Sequence, residues 1–450
     1  MDRGELLTFP ASFEWGVASS AYQIEGAVDE GGRGPSIWDT FCHSPGKTAR
    51  GETGDVAADH YHRWEEDIRL LSQLGVHVYR FSVGWPRVQP TGRGKVNEQG
   101  LDFYDRLVDA LVARNIVPCL TLYHWDLPQA LQDAGGWPSR DTARYFADYA
   151  AIVAGRLGDR VTHWITHNEP WVAAFAGHFT GEHAPGIQDP VAAFQTAHHL
   201  LLSHGLATEA LRATCRRKPS IGLALNLNPV HPETDSEADR EAAQRFDGVL
   251  NRWFLDPLFR GTYPEDMVEL LQAVLTPAAE EDMKVISTPI DWLGINYYSR
   301  TVARRDPDFP LIEAVETHPA GREYSQMWEI YPEGIYEILT RVWKDYHPPY
   351  LIVTENGIPV ADEPDFDGQI RDPRRIDYLR QHLAQVHRAI ADGVDVRGYY
   401  HWSPTDNFEW AHGYGKRFGL IYIDWATQQR TVKESGWWFR RVIEANGVEL

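Results

Sequence analysis

Short apolar runs of five to seven residues recur along the whole chain. Each is followed by a polar loop and then by a segment whose apolar positions return every three or four residues. Eight such runs stand out: Phe13 to Ser19, Val76 to Ser82, Ile116 to Leu122, Val161 to Thr166, Ile221 to Asn226, Trp292 to Tyr297, Tyr350 to Thr354 and Val396 to Trp402. Runs of this length read as buried strands, and their alternation with helical periodicity predicts parallel βα units. Trp64, Ile68 and Leu71 share one helix face, as do Leu101, Tyr104, Val108 and Leu111. Ile376, Leu379, Leu383, Val386 and Ile390 form the clearest stripe, which ends where Gly393 offers a stop. These stripes are read as core.

Eight units use up the chain, with no repeat or low-complexity run between them, so residues 1–450 are expected to form a single domain. Three loops exceed what connection requires: Gly26 to Val56, Thr301 to Glu323 and Pro359 to Arg374. Loops after strands line the mouth of a parallel barrel, and these are expected to be pocket walls.

Charge and cysteine content narrow the function. With 43 basic against 64 acidic residues, a formal net of −21, general attraction to nucleic acid or to an anionic membrane is disfavoured. Cys42, Cys119 and Cys215 are widely spaced and odd in number, which argues against a disulfide framework or a metal cluster and points to a reducing cytoplasm. The opening Met1-to-Pro10 segment is acidic and lacks the apolar core of a secretory signal. No run approaches the roughly 20 apolar residues of a membrane span.

Candidate chemistry gathers where the strands run out. Thr166-His167-Asn168-Glu169-Pro170 and Thr354-Glu355-Asn356-Gly357 each set a glutamate beside an asparagine. Cleavage of a glycosidic bond with retention needs one carboxylate as nucleophile and one carboxylic acid as proton donor, roughly 5 Å apart. Glu169 and Glu355 lie far apart in sequence, and a barrel of parallel strands would return both to one face. Gln23, Arg80, His124-Trp125, Asn296-Tyr297-Tyr298 and Trp402 also fall at strand ends. Amides, imidazoles and carboxylates suit the edge of a sugar, and an indole suits its apolar face.

The chain resembles glycoside hydrolase family 1, the β-glucosidase family, over nearly its whole length. The resemblance rests on Phe13-Glu14-Trp15-Gly16, Ala21-Tyr22-Gln23-Ile24-Glu25-Gly26, Tyr79-Arg80-Phe81-Ser82, Tyr123-His124-Trp125-Asp126 and Asn168-Glu169-Pro170-Trp171. It continues through Gly181-Glu182-His183-Ala184-Pro185-Gly186, Gly294-Ile295-Asn296-Tyr297-Tyr298, Thr354-Glu355-Asn356-Gly357 and Asp406-Asn407-Phe408-Glu409-Trp410-Ala411-His412-Gly413, in that order.

The resemblance implies an α/β fold, a single (β/α)8 TIM barrel with extended βα loops. It implies a retaining β-glycosidase, expected to be a β-glucosidase, with Glu355 as nucleophile and Glu169 as acid/base. Arg80 and Tyr298, assisted by Asn296, are expected to keep Glu355 ionised, and that charge to help keep Glu169 protonated. Gln23, His124, Asn168, Glu409 and Trp410 are assigned to the sugar hydroxyls, with Asn168 on the 2-hydroxyl. Trp402 is the expected stacking floor, Phe418 a wall, and Trp328 the first platform for the leaving group. The mechanism calls for no cofactor and no metal. The expected partner is a small β-glycoside or oligosaccharide; a homo-oligomer is compatible with the sequence.

Some positions depart from the family pattern. His167 stands where an apolar residue is usual; it is either a buried, satisfied histidine or a titrating group that moves the acid limb of the pH profile. Ser403-Pro404-Thr405 replaces a more usual Ser-Leu-Leu, a change read as able to re-aim the loop carrying Glu409, and Gly84 replaces a common serine. Relatives acting on 6-phosphorylated sugars have a small neutral residue at the Glu409 position. A carboxylate there would repel a phosphate, and Lys416 belongs to a segment shared with the ordinary enzymes. The presence of Glu169 favours O-glycosides over thioglucosides.

The acidic Glu233-to-Glu237 stretch lacks the spacing of a calcium loop and is read as solvated surface. His198 and His199 are adjacent and diverge on a helix. Three alternatives stay open: broad glucosidase, galactosidase and fucosidase activity, a transglycosylase, and a non-catalytic sugar-binding protein.

Overall fold

The computed structural model describes residues 6–450. Of the opening segment, residues 1–5 therefore lie outside the described residues. Eight parallel strands close into a barrel in chain order: β1 (Glu14–Ala18), β2 (Val78–Ser82), β3 (Val117–Tyr123), β4 (His163–Asn168), β5 (Ser220–Asn226), β6 (Trp292–Asn296), β7 (Leu351–Asn356) and β8 (Val396–Trp402). β8 pairs with β1 to complete the ring, with Tyr400 opposite Gly16 and Trp402 opposite Ala18. All eight predicted runs are barrel strands.

One buried cluster takes Ala18, Val78, Cys119, Ile165, Ala224, Trp292, Ile352 and Tyr400, one from each strand in turn, and these side chains fill the barrel interior. Alternate residues, such as Trp15, Tyr79, Leu120 and Trp164, join the larger cluster beneath the surrounding helices. Gly222 makes room for the interior indole: a Cβ there would come within 2.7 Å of the Trp292 ring.

The outer layer comprises α1 (His60–Leu74), α2 (Glu98–Val112), α3 (Arg140–Leu157), α4 (Pro190–Thr214), α5 (Trp253–Arg260), α6 (Glu333–Tyr346), α7 (Pro373–Ala391) and α8 (Glu434–Ala445). α4 is fixed at its start by Pro190 in the first turn and by Asp189, whose Oδ1 accepts from the amides of Val191 and Ala192. α7 carries the predicted stripe and ends two residues before Gly393, whose φ of 92° only glycine adopts readily. No described helix is long and apolar enough to cross a membrane.

The long loops correct the sequence reading in two ways. Thr301 to Glu323 is ordered as two strands, Thr301–Arg305 and Ala314–Glu316, which join Val230–Pro232 in a small separate sheet. Of the three loops only this one lines the pocket at the mouth of the barrel. Gly26 to Val56 instead supports the rim from behind: Glu52 accepts from the Tyr414 amide at 2.7 Å.

Pro359 to Arg374 contributes to a buried ion network. Asp362 accepts from Arg375 and Lys433 at 2.7 and 2.6 Å, and Lys433 continues to Asp406 at 2.8 Å. Asp406 also takes Arg417 and the amides of Gly419 and Ile423. Burial would raise the Asp406 carboxyl, but Lys433 and Arg417 outweigh it and hold it below the usual range. The segment Ser403-Pro404-Thr405 is tied into the same region, its carbonyls at 403 and 404 accepting from Leu420 and Ile421. All three cysteines are unpaired.

Candidate active site

At the C-terminal mouth of the barrel lies a pocket of about 340 Å³. Ten of the thirteen residues assigned roles by the resemblance line it: His124, Glu169, Asn296, Tyr298, Trp328, Glu355, Trp402, Glu409, Trp410 and Phe418. The other three, Gln23, Arg80 and Asn168, are buried directly behind the lining and hydrogen-bonded to it.

The two glutamates are joined by a continuous set of side chains from four strands. Arg80 on β2 donates to Glu355 Oε1 at 2.7 Å and to Asn168 Oδ1 at 2.6 Å. Asn296 on β6 donates from one nitrogen to Asn168 Oδ1 at 2.9 Å and to Glu169 Oε1 at 2.8 Å. The hydroxyl of Tyr298 donates to Glu355 Oε2 at 2.7 Å, and Thr354 fixes the Asn296 amide by donating to its Oδ1. Asn168 Nδ2 donates to His124 Nε2 at 3.0 Å, which places the His124 proton on Nδ1.

The same geometry separates the two carboxyls electrostatically. Burial and the neighbouring Glu355 charge push Glu169 up to about 8, with Asn296 and Arg80 acting in the opposite sense. Glu355 is also raised by burial, and here the structure corrects the sequence reading: Arg80 and Tyr298 offset that rise without reversing it. Glu355 holds a guanidinium and a phenol where Glu169 holds a single amide, so the shared proton resides on Glu169. Burial lifts the Tyr298 phenol well above its usual range, which keeps its proton available to Glu355.

Glu409 is a further carboxyl of the pocket. Burial and the Glu355 charge push it up to about 8, while Gln23, donating at 3.3 Å, and Lys416 favour the anion. A neutral Glu409 in the free site weakens the argument that its charge alone would repel a phosphate.

Aromatic rings make the rest of the wall. His124 stacks on Trp402 at 5.7 Å and on Trp410 at 6.0 Å between ring centres. Trp328, Tyr298 and Phe418 pack together in a second group, at 4.9 to 6.3 Å. Trp125, Glu169 and Trp410 hold positive φ values of 79°, 45° and 50°, a conformation that costs energy for non-glycine residues and gathers at working sites.

Sequence reasoning missed the outer part of the pocket. Asn226, Asn228, Arg300, Glu316, His318 and Glu329 line it, with Arg300 and Glu329 paired at 2.9 Å. Asn226 was visible as the last residue of a strand and Arg300 as the continuation of the Tyr297-Tyr298 motif. Glu316 and His318 lie in the Thr301-to-Glu323 loop expected to be a pocket wall, but nothing in the sequence marked them individually. His167 points away from the pocket, and burial with the nearby His204 holds its ring well below the usual histidine range, so it is neutral and the titrating reading loses its basis. His198 bonds Tyr263 and Asp282, and His199 the Trp137 carbonyl, on the helical periphery. Asp235 and Glu237 are exposed, and Ser236 caps the helix that follows them.

A parallel eightfold barrel with two buried carboxyls at its mouth, one protonated and one held by a guanidinium, defines a glycoside hydrolase. Comparison with known proteins agrees. The pattern of Glycosyl hydrolase family 1 matches residues 6–448, and the chain belongs to that family. It is 47% identical to Beta-glucosidase A of Acetivibrio thermocellus, over 98% of this chain and 99% of that protein. It is 48% identical to a bifunctional beta-D-glucosidase/beta-D-fucosidase of Bifidobacterium breve, over 97% and 98%. The solved family 1 β-glucosidase of Thermotoga maritima superposes with a TM-score of 0.96 at 46% identity, covering 99% of this chain and all of that one.

Proposed function

We propose that this chain is a retaining β-glucosidase, organised as one catalytic domain, which removes terminal β-D-glucosyl residues by double displacement. The observation that carries the reading is the unequal environment of the two glutamates. Glu355, held by Arg80 and Tyr298, is the nucleophile and attacks the anomeric carbon from one face. Glu169, raised to about 8, gives its proton to the departing oxygen and so leaves a glycosyl ester on Glu355. Now a carboxylate, Glu169 takes a proton from water as that water attacks the same carbon, and the sugar leaves with its configuration retained.

Asn168 is the partner of the sugar 2-hydroxyl: its Oδ1 is already engaged by Arg80 and Asn296, and one N–H remains beyond its bond to His124. Gln23, His124, Glu409 and Trp410 serve the remaining hydroxyls, Trp402 and Phe418 the apolar faces, and Trp328 the leaving group. The glucosidase reading is supported by the names of the relatives and by the Thermotoga maritima enzyme having been solved with deoxynojirimycin and with glucoimidazole. The bifunctional Bifidobacterium breve relative supports a second reading in which a 6-deoxy sugar is also accepted.

The test is a panel of aryl β-glucosides with leaving groups of graded basicity, hydrolysed by the wild type, Glu355→Ala and Glu169→Gln. Glu355→Ala is expected to lose activity by orders of magnitude on all of them. Glu169→Gln is expected to fail on poor leaving groups and to retain much of the first step on activated ones. A uniform loss across the series removes Glu169 from the acid role.

A further inference from the structure

β4 breaks its alternation two residues before the catalytic end. Trp164 faces the helices and Ile165 the barrel interior, as a regular strand requires. Thr166 and His167 then both turn outward onto α4. Thr166 Oγ1 lies 2.7 Å from His204 Nδ1, and His167 Nε2 lies 2.7 Å from Ser203 Oγ. Asn168 returns to the interior, against Arg80, Asn296 and His124. The ladder to β5 shows how. Ile165 is opposite Gly222 and Asn168 is opposite Ala224, so two residues of β4 face one of β5. This is a β-bulge, the device by which a strand re-aims a side chain. In an unbroken strand His167 would point into the pocket and Asn168 into the helix layer.

The proton positions at one of the two links follow from the partners. The Ser203 hydroxyl donates to the Leu200 carbonyl at 2.8 Å, which uses its only proton. His167 therefore donates from Nε2 to Ser203, and it does so as a neutral ring. That ring lies nearly flat on Phe146 at 4.4 Å and meets Tyr123 and Trp137 edge-on. An aromatic residue without an N–H would satisfy the stack, so stacking alone does not call for histidine. All four residues are fully buried, and Ser203 and His204 sit mid-way along α4, the helix anchored by Asp189.

We propose that Thr166, His167, Ser203 and His204 are positioning residues: two side-chain links that pin the bulge of β4 to α4 and so aim Asn168 into the pocket. The proposal rests on the reading of Asn168 as the partner of the 2-hydroxyl. A role limited to satisfying buried polar atoms would lower stability and leave the substrate pattern untouched. Mis-aiming Asn168 has a distinct signature, because its bond to the 2-hydroxyl strengthens in the transition state and is absent from a substrate lacking that group.

The experiment compares an aryl β-D-glucoside with its 2-deoxy counterpart in the full chain, using Thr166→Val, Ser203→Ala, the double variant and Asn168→Ala. The double variant is expected to lose about tenfold or more in kcat on the glucoside, with KM little changed, and clearly less on the 2-deoxy substrate. Equal losses on both substrates, or no loss on either, overturn the proposal. If the double variant does not accumulate as folded protein, Ser203→Ala alone carries the same comparison. Asn168→Ala separates the two layers of the argument. If it fails to discriminate between the substrates, the role assigned to Asn168 falls. If it discriminates and the link variants do not, the positioning role alone falls.

Discussion

Asn296 holds Glu169 by the same nitrogen that holds Asn168, at 2.8 and 2.9 Å. A donor on a carboxylate favours the charged form, so Asn296 works against the burial and the Glu355 charge that raise Glu169. One amide thus sets both the position of Glu169 and part of its proton affinity.

Removing that amide moves the proton affinity upward. In Asn296→Ala the alkaline limb of the kcat/KM profile is expected at higher pH than in the wild type, with the maximum rate reduced. Initial rates across pH 5 to about 10 on one aryl β-glucoside measure it; an unmoved or lowered limb contradicts the assignment.

Neutralising Glu355 acts in the other direction. Its charge is the second cause of the rise at Glu169, so Glu355→Gln is expected to bring the Glu169 carboxyl down from about 8. Because this variant is inactive in the proposed mechanism, the carboxyl is followed by nuclear magnetic resonance or infrared titration of labelled glutamate.

Glu409 links the pocket to stability. Its folded carboxyl binds a proton up to about pH 8, well above the range of an unfolded chain. Between the two values the native state holds the extra proton, so its contribution is complete at low pH and is lost as pH rises toward 8. Glu409→Gln lacks this dependence. Its melting temperature relative to wild type is expected to rise steadily from pH 5 to pH 8, as read by calorimetry at matched ionic strength.

Lys433 is the hub of the network beneath the rim. Lys433→Met leaves Asp362 and Asp406 facing each other with one cation fewer. Breaking a buried pair in this way costs about 3–5 kcal/mol. Denaturant unfolding of the two proteins tests it, and a change below about 1 kcal/mol would show the network to be more solvated than its burial indicates.

The barrel was legible because each strand carries its own apolar run, and the proposed catalytic pair because each glutamate sits in a compact local motif. What escaped the sequence was set by partners distant in the chain. Lys433 follows a short edge strand and reads as a surface residue, yet it is fully buried between two aspartates. The bulge at Thr166 and His167 leaves no mark in apolar periodicity, because a polar residue bonded to a helix resembles one facing a pocket. Pro359 to Arg374 has the composition of a pocket loop but turns Asp362 toward Arg375 and Lys433, and Asp372 toward Arg375, instead. The departure at His167 was visible as unusual, and only its hydrogen-bond partner showed it to be a neutral donor.

Of the three pocket carboxyls given catalytic or sugar-binding roles, Glu169, Glu355 and Glu409, the first and last hold their protons to about pH 8. Near neutrality these three glutamates therefore carry about one negative charge where their composition suggests three. Ligand binding becomes an exchange of protons with the buffer as well as of contacts. A neutral sugar leaves that inventory nearly intact. A cationic sugar mimic drives a second proton off, so its measured heat of binding will vary with the ionisation enthalpy of the buffer chosen.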